Sequence, residues 1–262
     1  MPFEALKPTE LIQKVRLPLT NINFLNSPQM KMTYKEHLID ARAYAEKHLK
    51  EDYPEYEIIV NMMVDYFTMI TEKLDRVEIA DEKQQYKLLL VVSFMRTHYV
   101  VNELIIYSEI IEASTLMRKQ LELIARLKEI EVSELEKIEK KVPQMKHVPW
   151  IKDYYGLWSQ VAHNASLDSL DLLGYNMEDE EHKRFYVQPS YTENTIDAFN
   201  MNIGLFMVFA LEVVSVLEEL LPAYKPVEEL KFLLSFNEYG SKTNIPYFKS
   251  LKGMKVRYEE DN

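Results

Sequence analysis

The sequence predicts an all-α protein, a multi-helix bundle of long antiparallel helices with at most one short strand or hairpin. Three observations carry this. The 262 residues contain only 5 glycines, well under the usual share of about 7%, and a meandering sheet needs glycine at its tight turns. Residues 81–130 hold no proline or glycine at all. Apolar side chains recur at helical spacing through most of the chain between 33 and 236, and helices of this length can hide such stripes only against one another. With 47% hydrophobic residues the chain has enough apolar side chain for a large core.

The elements follow from caps and breakers. Residues 1–32 read as an irregular N-terminal segment, 33–236 as one helical bundle and 237–262 as a C-terminal tail. Thr33 with Glu36 three residues on is a capping-box pattern that starts a first helix reaching to about Lys50. Pro54 in a first turn, then Ile58, Met62, Phe67, Ile70 and Leu74, gives a second. Residues 81–130 divide into two helices, with the break expected near Arg96–Asn102, where the apolar spacing weakens. Ser133 and Glu136 are placed to cap a short charged segment, "SELEKIEKK", a surface excursion. A helix from Pro149 to about His163 comes next, then an acidic and aromatic loop with one short strand in "RFYVQ". Thr192 to Leu221 reads as one helix stopped by Pro222, with "PVEELKFLLSF" behind it. Met62, Met63, Met69, Phe206, Met207 and Phe209 are expected in the core.

Composition excludes several function classes. Cysteine is absent, which removes disulfides, thiolate nucleophiles and Cys-ligated metal sites. The formal net charge of −11 gives no bulk attraction to nucleic acid or anionic lipid. "MPFEALKPTELIQK" lacks the basic start and apolar run of a secretory leader, so a cytoplasmic protein is expected. The apolar stretch 203–221 carries Glu212, Glu218 and Glu219 and reads as a buried helix rather than a membrane span. No Glu stands three before a His, as a di-iron bundle requires, and neither a Walker loop nor a dinucleotide glycine motif occurs. No metal and no cofactor is expected.

On a helical wheel, 150–163 separates into an apolar stripe of Trp150, Tyr154, Leu157 and Val161 and a polar one of Tyr155, Ser159 and His163, with Trp158 at the apolar edge. In "IIEASTLMRKQLELIARL" the stripe is Ile110, Ala113, Met117, Leu121 and Ile124, flanked by Arg118 and Glu122. An Arg four before a Glu is the weaker orientation on an exposed helix, so the pair explains little without a further partner.

"RKQLE" at 118–122 followed on a later helix by "WSQVAHNAS" resembles, over roughly residues 85 to 220, a family of helical bacterial proteins known only as a domain of unknown function. The resemblance implies that Arg118, Glu122, Ser159 and His163 face one another across a helix–helix contact. Some relatives of that family are similar to HEPN proteins, helical bundles that often act as RNases in antiviral defence. HEPN nucleases carry an arginine shortly before the histidine, and the corresponding positions here are Gly156, Leu157 and Trp158; Arg118 would have to supply the cation from the neighbouring helix.

Three readings compete. In the first, the four polar residues are a register-fixing lock in an interaction or regulatory protein with a protein partner or a second copy of the chain; His163 then sits at the negative end of its helix. In the second they form a HEPN-like metal-independent RNase or toxin, the one reading that makes RNA a partner. In the third, Tyr155 and Trp158 line a small-molecule cavity. A Ser159–His163–Asp168 triad lacks the nucleophile elbow and an evident oxyanion hole.

Overall fold

A computed structural model describes residues 33–75, 77–148, 152–162, 175–176, 184–185, 188–221 and 224–251. Among them are nine α-helices: α1 Tyr34–Asp52, α2 Tyr56–Leu74, α3 Glu82–Ile106, α4 Ile110–Val132, α5 Leu135–Ile138, α6 Lys152–Ala162, α7 Glu193–Leu220, α8 Val227–Ser241 and α9 Pro246–Leu251. A two-residue antiparallel ladder pairs Tyr175 with Phe185 and Asn176 with Arg184. The all-α expectation holds, while the segment 1–32 and the end of the tail, 252–262, lie outside the described residues. The capping box at the start of α1 forms as read: Glu36 N–H donates to the Thr33 hydroxyl at 3.3 Å and Thr33 N–H to the Glu36 carboxylate at 2.6 Å.

The centre of the bundle is built by α3, α4 and α7. Lys87 meets Glu131 and Glu219, and His98 meets Gln120 and Asn202. Residue numbers thus fall on α3 as they rise on α4 and α7, so α3 runs antiparallel to both, and α4 and α7 run in the same direction. Ile110, Ala113, Met117, Leu121 and Ile124 are all buried, as the wheel predicts. Met63, Phe206 and Phe209 are buried too, and Met62, Met69 and Met207 pack partly buried against them. On α2 the stripe holds at Phe67 and Ile70, which are buried, and is displaced by one residue in the earlier turns, where Ile59 and Met63 face inwards and Ile58 is 47% exposed. Tyr56 and Tyr66 also point into the core and hydrogen-bond the carbonyls of Asn102 and Ala210 at 3.1 and 2.9 Å, roles an apolar count does not register.

The break between α3 and α4 falls at Tyr107–Glu109, not at Arg96–Asn102. Ser108 adopts φ +56°; its N–H donates to Ile105 O and that of Glu109 to Leu104 O, both at 2.9 Å, which closes the helix end in the Schellman pattern. A left-handed non-glycine costs about 1 kcal/mol. The Ser108 hydroxyl offsets part of this by bonding Thr195 Oγ1 at 2.9 Å in the core, and the Arg42 guanidinium clasps Glu109 at 2.8 Å. The weakened spacing at 96–102 has a different cause, the buried polar residues His98 and Asn102.

Two further boundaries are corrected. Ser133 ends α4 rather than capping α5, whose N-terminus makes no side-chain cap. The chain from 237 to 251 is not a free tail: α8 continues to Ser241, and α9 returns to the bundle with Ile245 and Phe248 buried. Gly240 makes that return possible, because a Cβ there would lie 2.3 to 2.5 Å from three ring atoms of Phe248. Gly240→Ala is expected to displace α9 and cost about 1–3 kcal/mol, seen as a lower urea midpoint with faster hydrogen exchange confined to 240–251.

Candidate functional site

The site read from sequence sits where α4 meets α6. Tyr155 stands in the second turn of α6 and is half-buried. Its hydroxyl donates to Glu122 Oε1 at 3.1 Å and lies 3.3 Å from the Arg118 guanidinium, whose Nε donates to the same carboxylate oxygen at 3.2 Å. The Arg118 guanidinium carbon stands 5.2 Å from the centroid of the Tyr155 ring. The weak i, i+4 orientation thus acquires its third member from another helix, and phenol, guanidinium and carboxylate close a ring of contacts. Arg118 and Glu122 keep 20% and 27% side-chain exposure.

Of the other candidates, the side chains of Ser159 and Trp158 are among the described residues. Ser159 is half-buried one turn beyond Tyr155. Trp158, read with Tyr155 as a ligand contact, is 3% exposed and belongs to the core, as does Val161 at 1%; a side chain sealed in this way anchors α6 instead of lining an open cleft. His163 and Asp168 lie outside the described residues.

Sequence reasoning missed a second polar group, in the middle of the bundle. His98 is fully buried, with the Gln120 carboxamide 3.0 Å from Nδ1 and that of Asn202 3.4 Å from Nε2. Asn202 Nδ2 also donates to Asn102 Oδ1 at 2.7 Å. The rings of Phe67, Phe94 and Phe206 surround the imidazole at 5.4 to 6.0 Å. Burial alone pushes its pKa down to about 3, so it is neutral. A neutral imidazole has one N–H and one bare nitrogen, so one carboxamide must offer oxygen and the other N–H. Gln120 Nε2 and Asn202 Nδ2 are the atoms that face the ring; turning the Gln120 carboxamide over puts its oxygen on Nδ1–H, and Asn202 then uses its two protons on Nε2 and on Asn102. His98 and Asn102, four apart, are what thins the apolar stripe at 96–102; a buried polar pair there looks in sequence like the end of a helix.

No family model, curated protein or solved structure matches the chain. Among the described residues no three His, Asp or Glu are placed to hold a metal ion. The His98 imidazole has no exposed surface and so no substrate reaches it. Arg118, Glu122 and Tyr155 are reachable, but each already serves another of the three.

Proposed function

We propose that this is a cytoplasmic helical-bundle protein with an interaction or regulatory role, in which Arg118, Glu122 and Tyr155 fix the register of α6 on α4. The observation behind this reading is the closed geometry of the three: the Glu122 carboxylate receives both the guanidinium and the phenol, and an arginine already held by a neighbouring carboxylate is a poor ligand for a phosphate. Such a lock has a definite energetic signature. Tyr155→Phe keeps the ring against Arg118 and removes the hydroxyl, with a loss of about 1–2 kcal/mol expected in urea denaturation.

The competing assignment is the HEPN-like RNase or toxin, with Arg118 as the cation and His163 as the proton carrier. Incubating the purified chain with single-stranded and structured RNA decides between them. Our reading expects intact RNA from the wild-type chain and from His163→Ala alike, with His163→Gln altering melting temperature alone. Metal-independent cleavage that His163→Ala abolishes would replace our assignment with the nuclease.

A further inference from the structure

α3 is apolar on two sides. Its inner face buries Val91, Phe94 and Val101, yet Leu89, Tyr99 and Val100 on the outer side are 60%, 55% and 45% exposed. Among the described residues it is the one helix long and apolar enough to cross a membrane by length and composition, and 44% of the qualifying window is already buried in the bundle. A helix that is apolar all round is ordinarily covered all round. Beside this outer face α2 and α3 separate, leaving a groove of about 350 Å³ walled by Val64, Phe67 and Thr68 from α2 and Met95, Arg96 and Tyr99 from α3.

Charge on the rim narrows what could cover it. Glu72 lines the groove, Asp65 and Glu103 are exposed on the same two helices, and among the described residues Arg96 is the one cation lining it, on a chain of net charge −11. A second copy would set these carboxylates against their own kind, and anionic headgroups would be repelled in the same way. A cationic helix with one apolar stripe is complementary on both counts, its stripe filling the groove and its lysines or arginines meeting the rim.

We propose that the α2–α3 groove docks a basic amphipathic helix of a partner protein. This rests on reading the chain as an interaction protein and specifies the partner's chemistry; RNA digestion tests that reading separately, so either can fail without the other. The probe is a fluorescein-labelled peptide of about five helical turns, with leucine at i, i+3, i+4 and i+7 and lysine elsewhere. Its companion carries glutamate in place of lysine. Anisotropy is read at about 0.15 M salt with the full chain, with Tyr99→Glu, with the doubly reversed Asp65→Lys/Glu72→Lys, and with Glu136→Lys/Glu139→Lys as a control on a different element.

The lysine peptide is expected to bind the wild type and the control within about twofold of each other, with binding weakened about tenfold or more by either groove variant and for the glutamate peptide. The charge reversal lies at exposed positions, so it carries the test if Tyr99→Glu does not fold. No binding of the lysine peptide, equal loss in the control, or indifference to both groove variants would overturn the proposal. A wild-type dimer in sedimentation that Tyr99→Glu dissociates would overturn it in favour of a second copy.

Discussion

Acidification from pH 6.5 to 4.5 is expected to remove about 2 kcal/mol of stability through His98 alone, because each pH unit over which only the unfolded imidazole is fully protonated removes about 1.36 kcal/mol and at pH 6.5 it is half protonated. The sign follows from where the proton binds. In the unfolded chain the imidazole takes it up with its ordinary pKa of 6.5, while in the bundle burial holds the pKa down to about 3. Above 6.5 neither state is protonated and the term is constant. Between 6.5 and 3 only the unfolded state is protonated, so stability falls with each unit of acid. The folded structure offers the cation nothing: Phe67 from α2, Phe94 from α3, Gln120 from α4 and Asn202 with Phe206 from α7 enclose the ring without a carboxylate among them. Against a typical domain stability of about 5–15 kcal/mol, this is a large share. Urea midpoints of the wild type across that range should slope steeply, and those of His98→Gln should slope less by about the stated amount. Equal slopes in the two proteins would show that His98 is accessible to protons in the folded state.

What the sequence discloses and what it conceals divide along a physical line. Periodic apolar residues act additively along one helix, so the stripe of α4 and the span of α7 can be read without knowing their neighbours. The capping box of Thr33 and Glu36 is equally local, closing within four residues. Long-range partners are not local. Tyr155 is in the predicted polar stripe, yet only the packing of α6 on α4 brings its hydroxyl to Glu122, across 33 positions of chain. Asn202 finds Asn102 across 100. The displaced stripe of α2 has the same origin: Tyr56 and Tyr66 count as ambiguous in an apolar pattern, but both bury their rings and satisfy their hydroxyls on backbone carbonyls of other helices. Ser108 shows a further limit. Its left-handed turn lacks the glycine that would announce it, because a tertiary hydrogen bond to Thr195 favours serine there.

Arg126→Ala is expected to be the most damaging single substitution in the bundle, costing about 3–5 kcal/mol. Arg126 and Glu129 are 3% and 4% exposed. The guanidinium donates to Glu129 Oε2 at 2.8 Å and to the carbonyl of Ile138 at 2.7 Å, and it also bonds the carbonyl of Lys141. One cation thus neutralises a buried carboxylate and ties the excursion through α5, whose Ile138 is buried, back onto α4. Truncation leaves the carboxylate uncompensated in a sealed site, takes this donor from the Lys141 carbonyl, and leaves the Ile138 carbonyl with the Lys141 N–H alone. Two consequences can be separated. Replacing both charged partners, Arg126→Met with Glu129→Met, should restore most of the lost stability, because it removes the stranded charge. It should not restore the tether, since methionine donates nothing to the carbonyls of Ile138 and Lys141. Lys137, Lys140 and Lys141 make that difference measurable: limited proteolysis with a lysine-specific protease should cut the excursion faster in both variants than in the wild type, although only the single variant is strongly destabilised in urea. If the double variant resists cleavage as the wild type does, the packing of Ile138 rather than the Arg126 hydrogen bonds holds this segment in place.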